Sequence, residues 1–229
     1  MGIDLEGSPL YKAVIQRKID GVRSSLANKV FSWDFADNDE DDYIFRRTLK
    51  EAIEFDQQDT LEVMLQAHFG DTEYGDGNSK PYYITEALET AAWLGKQNIV
   101  AWLLETEKAN IHNISNALAY GTWSKNLQIL QLLIDAGANP NYETEWGIPL
   151  IAAARTGDLR VVQFLIEASA DPNMEIETDG FSSPLVAAAY EGYEKVCEYL
   201  LPLTVDEEAI EFVRKELPRR ATGRKRREL

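Results

Sequence analysis

The chain has 229 residues, of which 45% are hydrophobic and 27% charged, a composition typical of folded domains rather than disordered or fibrous chains. No apolar run approaches the ~20 residues that span a bilayer, and the acidic start of the chain lacks the basic segment of a secretory signal. A single cysteine excludes an internal disulfide, and with two histidines we expect no structural zinc site. We therefore expect a soluble intracellular protein.

Acidic residues dominate the charge, because 39 Asp and Glu against 23 Lys and Arg give a net charge of −16. From Arg214 onward, eight basic residues accompany two acidic ones, which leaves 15 basic and 37 acidic residues, a net charge of −22, in residues 1–213. Such a body repels nucleic-acid phosphates and favours basic partners, although a strong charge also serves solubility alone. We expect no direct DNA binding by this body.

Six segments of the chain open with a similar pattern of apolar and small residues, and each continues into a second apolar stretch. They begin near residues 8, 47, 86, 116, 148 and 183, with equivalent positions at Pro9, Thr48, Ala87, Ala117, Pro149 and Pro184. The last two copies, IPLIAAARTG and SPLVAAAYEG, align without gaps. Proline suits the first turn of a helix and glycine its end, so each copy predicts a helix, a tight turn and a second helix.

This pattern resembles that of ankyrin repeats, whose unit of about 33 residues is a β-turn and two antiparallel helices. The resemblance implies an all-α solenoid of about six helix-turn-helix units over residues 1–203. A C-terminal capping helix is expected at 204–217 and a basic tail at 218–229. Two departures from the family pattern are predicted, an acidic insertion at 34–45 and a loop at 70–83.

No local motif for catalysis is present, since the sequence lacks a Gly-x-Ser-x-Gly, a phosphate-binding glycine-rich loop and a His-Glu-x-x-His. We expect His68 just beyond an outer helix, His112 in the turn before the fourth copy and Cys197 at a core position. The acidic run at 37–42 lacks the glycine and the distal glutamate of a calcium loop. We therefore predict no enzymatic activity, no metal and no cofactor.

Ankyrin proteins mostly bind other proteins through their turn tips and the exposed positions of their inner helices. By that resemblance, the residues that follow each alanine pair face the concave groove: Phe55, Trp93, Leu94, Trp123, Arg155 and Tyr190. The turn tips add Tyr142, Glu143, Glu145, Trp146 and Phe181. Trp, Tyr and Arg are the residue types most enriched in binding hot spots. The alternative is that Trp93 and Trp123 fill the core between neighbouring units.

These observations favour a non-enzymatic protein-protein interaction module that binds a basic protein through its concave face, as a scaffold, an inhibitor or an antitoxin-like neutraliser. The alternatives are an enzyme with its site in the two inserted segments and an acidic decoy of a nucleic-acid-binding protein. The basic tail fits nuclear localisation, contact with nucleic acid or anionic lipid, folding back onto the acidic body, or a solvated end. We expect a cytoplasmic protein, with nuclear entry through the tail left open.

Overall fold

The computed structural model describes residues 5–28, 39–67, 79–106, 111–144, 147–176 and 183–225. These residues form thirteen α-helices, two 3-10 turns at Leu5–Gly7 and Leu201–Leu203, and one isolated antiparallel bridge between Thr144 and Gly147. The helices are α1 (Pro9–Ile15), α2 (Ile19–Asn28), α3 (Asp39–Glu54), α4 (Gln58–Ala67), α5 (Ser79–Trp93), α6 (Gln97–Thr106), α7 (Ile111–Ser124), α8 (Leu127–Asp135), α9 (Pro149–Thr156), α10 (Leu159–Glu167), α11 (Pro184–Glu191), α12 (Glu194–Leu200) and α13 (Glu207–Lys225). The all-α repeat fold is confirmed.

The first twelve helices form six pairs, each made of an inner helix followed by an outer one. In one compact unit, Met1–Ala109, α1 packs on α3 and α3 packs on α5. In a second, Asn110–Leu229, α7 packs on α9 and α9 packs on α11. Pairs of fully buried alanines, Ala153 with Ala154 and Ala188 with Ala189, keep the inner helices of the second unit close together.

A residue with positive φ turns the chain from the inner to the outer helix in all six pairs. These residues are Arg17, Asp56, Gly95, Lys125, Gly157 and Gly192, with φ between 53° and 78°. Each lies eight residues after the equivalent position expected from the sequence, as Arg17 does after Pro9 and Gly157 after Pro149. The left-handed conformation costs a non-glycine residue roughly 1–2 kcal/mol, so three of the six turns hold local strain that packing must offset.

Gly157 has a second reason to be glycine, because the next helix pair packs on it. A Cβ atom built on Gly157 would lie 2.4 Å from ring carbons of Tyr193. Tyr193 is the N-cap residue of α12, but its side chain makes no capping hydrogen bond. At the equivalent position, the side chains of Asn126 and Asp158 cap α8 and α10 by accepting hydrogen bonds from backbone N–H groups. At this turn the side chain packs against the neighbouring unit instead of capping its own helix.

Three inner helices begin at the proline of the repeat pattern, and the other three begin upstream of the equivalent position. The helices α1, α9 and α11 start at Pro9, Pro149 and Pro184, whereas α3, α5 and α7 start at Asp39, Ser79 and Ile111, well before the equivalent positions. Thr48, expected near a helix start, lies inside α3, where its hydroxyl donates to the carbonyl of Ile44 at 2.6 Å.

The predicted bounds of the acidic insertion (34–45) and of the loop (70–83) therefore include residues that are helical. Residues 39–45 of the insertion and 79–83 of the loop are helical, while 34–38 and 70–78 lie outside the described residues. Phe45 and Tyr83, from the two extended segments, are buried against each other edge to face, with ring centroids 4.9 Å apart. This aromatic pair gives the extra helical turns of α3 and α5 a core of their own.

Two asparagines connect the turns of successive units in the second half of the chain. The Asn141 side chain donates to the carbonyl of Ser169 (3.0 Å) and accepts from the N–H of Asp171 (2.7 Å). Asn173 repeats the arrangement 32 positions later, donating to Leu203 (3.1 Å) and accepting from Val205 (2.8 Å). Each side-chain amide thus satisfies one backbone donor and one backbone acceptor of the next turn. The backbone groups of the neighbouring helices cannot do this, because they are already hydrogen-bonded within the helices.

The last helix is longer than expected. It begins after Asp206, whose carboxylate accepts from the N–H of Glu208 at 2.9 Å, packs on α11 and α12, and buries Ala209 and Val213. The expected boundary at 217 is wrong, because α13 continues through Pro218 to Lys225 and takes in most of the predicted basic tail. The residues that follow Pro218 include Arg, Ala and Lys, which are strong helix formers. None of the described helices is both long and apolar enough to cross a membrane.

We expect Gly157→Ala to lower the free energy of unfolding by about 2–4 kcal/mol, because it adds left-handed strain and overlap with the Tyr193 ring. Gly137→Ala is the matched control: Gly137 also has positive φ (97°), but a Cβ there meets nothing within 4 Å. The control should lose only about 1 kcal/mol. Urea unfolding of the two variants measures the difference, and equal losses would contradict the packing of Tyr193 on Gly157.

We expect Asn173→Ala to destabilise the chain by about 1–2 kcal/mol, since it leaves one carbonyl and one N–H of the following turn without their partner. Asn173→Asp retains the acceptor for Val205 and loses the donor for Leu203, so its loss should be smaller. Thermal unfolding of the two variants beside the unmodified chain tests this order. An Asp variant at least as unstable as the Ala variant would refute it.

Candidate protein-binding site

The exposed large apolar side chains concentrate at the C-terminal ends of the inner helices. Among the described residues seven such side chains are exposed, and five lie at these ends: Ile15, Phe55, Trp93, Trp123 and Tyr190. The other two are Tyr43 on α3 and Val205 before α13. Exposed aromatics scattered singly are ordinary, but Ile15 and Trp93 in the first compact unit, and Trp123 and Tyr190 in the second, recur two residues before the left-handed turn residue of their pair. Phe55 lies one residue before its own turn residue. We call the exposed inner-helix ends of each unit its inner-helix surface.

Trp93 and Trp123 do not fill the core. Their side chains are 45% and 39% exposed, whereas Leu88 and Ala91 on α5 are fully buried. The core packing considered as the alternative is therefore excluded, and both indoles are available at the surface. Their role in binding a partner stays a prediction.

Three of the predicted residues lie on three successive inner helices of the second unit. Trp123 is on α7, Arg155 on α9 and Tyr190 on α11, each two residues before the left-handed turn residue of its pair. The guanidinium carbon of Arg155 lies 5.7 Å from the centroid of the Trp123 ring, which is a cation–π distance. Tyr190 is 44% exposed. The continuation of this row to Trp93, in the first unit, stays a prediction.

In the first unit, Trp93 ends α5 and receives a cation from α3. The Nζ atom of Lys50 lies 4.9 Å from the centroid of the Trp93 ring. Phe55 is exposed just after α3, and Leu94 is half-buried. Lys96 ties the two turns together, because its Nζ donates to the carbonyl of Glu54 at 2.6 Å and to Asp56 at 2.8 Å.

The predicted turn tips are only partly described. Tyr142 is half-buried and Glu143 is exposed beside the bridge between Thr144 and Gly147. Glu145, Trp146 and Phe181 lie outside the described residues. The tips thus contribute one exposed carboxylate and one partly exposed aromatic ring to the surface that the structure describes.

Helix caps hold the turns next to this surface. Asp158 accepts from the N–H of Arg160 at the start of α10, and its other oxygen pairs with the Arg160 guanidinium at 2.7 Å. The side-chain hydrogen bond from Arg160 is the main cause that lowers the pKa of the Asp158 carboxyl. The carboxylate therefore stays ionised, and the cap stays formed, throughout the neutral pH range.

Among the described residues, the side chains that could be reactive form no catalytic arrangement. Cys197 is fully buried, and burial, followed by the nearby carboxylates of Glu194 and Glu198, raises the pKa of its thiol to about 12. His112 lies in the first turn of α7 rather than in the turn before it, because that helix starts early, and His68 lies outside the described residues. Within the described ranges, no group of three or more His, Cys, Asp or Glu residues could hold a metal.

The family model for ankyrin repeats matches residues 117–210 in three copies. Among curated proteins, none matches the chain. The matched residues cover the fourth, fifth and sixth helix pairs, which carry Trp123, Arg155 and Tyr190. The first three pairs precede the match and have the same left-handed turn as the three matched pairs. Ankyrin repeats are generic protein-interaction modules and typically non-enzymatic.

Sequence reasoning missed two residues of α3: Tyr43, in the upstream extension of the helix, and Lys50, further along it. Tyr43, Arg47, Lys50 and Glu54 are spaced by three or four residues and therefore share one face of this helix. That spacing is visible in the sequence, but it becomes meaningful only when the helix is known to start at Asp39 instead of near residue 47.

We expect the Cys197 thiol of the folded chain to resist iodoacetamide at pH 8, because the buried thiol stays protonated and inaccessible. In urea the same thiol should react fully, since its pKa returns to about 8.5 on exposure. Mass spectrometry of the intact chain counts the added groups in both conditions. Complete labelling under native conditions would contradict this placement of Cys197.

Proposed function

We propose that this chain is a non-enzymatic binding module that holds a partner protein along its inner-helix surface, and that this surface is the concave face of the repeats. One observation carries the proposal: exposed Ile15, Trp93, Trp123 and Tyr190 occupy the same repeat position on four of six inner helices. Arg155 occupies this position on a fifth. Trp, Tyr and Arg are the residues that most often dominate binding energies.

The partner we propose is a basic protein. The net charge of −22 in residues 1–213 attracts positive surfaces over several ångströms and speeds their approach. Carboxylates also flank the aromatic positions, since Glu54 is exposed beside Phe55 and Glu191 lies half-exposed beside Tyr190. Apolar anchors surrounded by Lys or Arg on the partner would complement this arrangement.

A scaffold, an inhibitor of an enzyme and an antitoxin-like neutraliser would all use the same surface, since they differ in what the partner does. We propose a cytoplasmic location for this role. Nuclear entry would depend on the basic residues that α13 carries after Val213, of which Arg214 and Lys215 are exposed.

We expect Trp123→Ala to weaken binding of the partner by roughly thirtyfold, because a packed aromatic anchor contributes on the order of 2 kcal/mol. The urea midpoint should fall only modestly, by less than the roughly 3–5 kcal/mol lost on truncating a fully buried aromatic, since Trp123 is 39% exposed in the folded chain. Val205→Ala is the matched control, because Val205 is the most exposed apolar side chain described (77%) and lies outside the inner-helix surface.

The test begins with affinity capture of partners by the full chain, followed by calorimetric titration of each captured protein against the two variants. A partner that binds Trp123→Ala as tightly as the unmodified chain would rule out the proposed surface. Titration at increasing salt separates the two contributions: association should weaken as salt screens the acidic body. Affinity indifferent to salt would remove the basic partner from the proposal and leave the aromatic surface.

A further inference from the structure

Among the described residues two tryptophans are exposed, and each has a cation over its ring, supplied by a neighbouring inner helix. Lys50 of α3 reaches across to Trp93 of α5, and Arg155 of α9 reaches across to Trp123 of α7, at 4.9 Å and 5.7 Å from the ring centroids. Both distances fall within the ~6 Å range of cation–π attraction.

The repeat itself does not produce these two contacts. Lys50 lies two residues after Thr48 and comes from the inner helix that precedes Trp93, whereas Arg155 lies six residues after Pro149 and comes from the helix that follows Trp123. The two cations thus come from different repeat positions, one on the preceding helix and one on the following helix. What the two contacts share is the exposed indole that each cation covers.

A cation over the ring restricts an exposed indole before any partner arrives. A side chain held at only one end samples several rotamers, and fixing it on binding costs conformational entropy. The cation–π contact and the long stem of Lys or Arg lower this cost by keeping the ring in one orientation. The tryptophans are therefore organised in advance as anchors.

The cation also selects what can pack on the ring. A second Lys or Arg that approached the ring would meet a like charge at short range, which is unfavourable at a protein surface. An apolar or aromatic side chain meets no such repulsion. Glu54, one helical turn after Lys50, and Glu191, beside Tyr190, offer separate carboxylates to basic side chains.

We propose that Lys50 and Arg155 are positioning residues that hold Trp93 and Trp123 as preformed anchor points, one in each compact unit, for apolar side chains of the partner. Lys and Arg side chains of the partner contact the flanking carboxylates and not the indoles. This proposal rests on the proposed function, because it assigns the chemistry of the same surface.

The test uses a displayed library of random peptides selected on the full chain, followed by calorimetric titration of the tightest synthetic peptides. We expect selected peptides to combine an aromatic or aliphatic residue with nearby Lys or Arg. Lys50→Met, which keeps the stem and removes the charge, should weaken a Trp93-dependent peptide roughly two- to fivefold. Lys50→Arg should restore binding, and Arg155→Met and Arg155→Lys should behave likewise for a Trp123-dependent peptide.

Two controls separate positioning from general charge. Lys195→Met removes an exposed lysine from the outer helix α12 and should leave the affinity unchanged. In a Trp93→Ala background, Lys50→Met should have no further effect, because its ring is gone. Replacing the apolar anchor of the peptide with Lys should abolish the dependence on Trp93.

The outcomes distinguish the two proposals. If Trp93→Ala weakens a peptide and Lys50→Met does not, the positioning role is wrong while the binding surface stands. If Lys50→Met weakens binding equally in the Trp93→Ala background, its charge acts elsewhere and the positioning role is again wrong. A peptide that binds more tightly with Lys as its anchor overturns the apolar occupant. Failure to obtain any peptide that depends on Trp93 or Trp123 overturns both proposals.

Discussion

The reversal of the chain between each inner and outer helix depends on one residue in the left-handed region. Six such residues recur at the same repeat position, and three of them are Arg17, Asp56 and Lys125, which lack the freedom of glycine. Their strain is tolerated because the helices on both sides are packed in the array, where stability is a sum over units and their interfaces. The turn also sets the surface: the residue two positions earlier lies at the exposed end of the inner helix.

Within each compact unit, successive helix pairs contact one another at their turns by different means. In the first unit Lys96 contacts the preceding left-handed turn at Asp56 and at the carbonyl of Glu54. In the second unit Tyr193 packs over the left-handed turn at Gly157, and Asn141 and Asn173 connect the turns that follow the outer helices. An ion pair at the surface contributes little to stability, while buried contacts and satisfied backbone groups contribute more. The interfaces of the second unit therefore rest on packing and on backbone hydrogen bonds. The same unit carries the matched ankyrin repeats.

The acidic charge and the aromatic positions would serve different stages of recognition. Long-range charge accelerates approach and selects the sign of the partner, while buried aromatic contacts hold the complex together and slow its dissociation. A chain with a strong net charge and with exposed Trp93, Trp123 and Tyr190 at one repeat position has the elements of both. The cations over Trp93 and Trp123 combine the electrostatic and the aromatic contributions, because each places a positive charge beside an exposed aromatic ring of an acidic protein.

The sequence by itself determined the helix pairs, their turn positions and the identity of the residues two positions before each turn. It also placed the helix starts at Pro9, Pro149 and Pro184, because proline acts locally on the first turn. It did not place the starts of α3, α5 and α7, because these helices have no proline at the repeat position. The helices α3 and α5 extend upstream to include Phe45 and Tyr83, which pack on each other.

Only the tertiary structure decided the environment of the tryptophans. Apolar residues suit both the core and a binding surface, so the sequence left both placements open for Trp93 and Trp123. The exposure of their side chains in the structure decides for the surface. The contact of Lys50 with Trp93 joins residues 43 positions apart in the chain. No local pattern encodes it, because it depends on how two inner helices pack side by side.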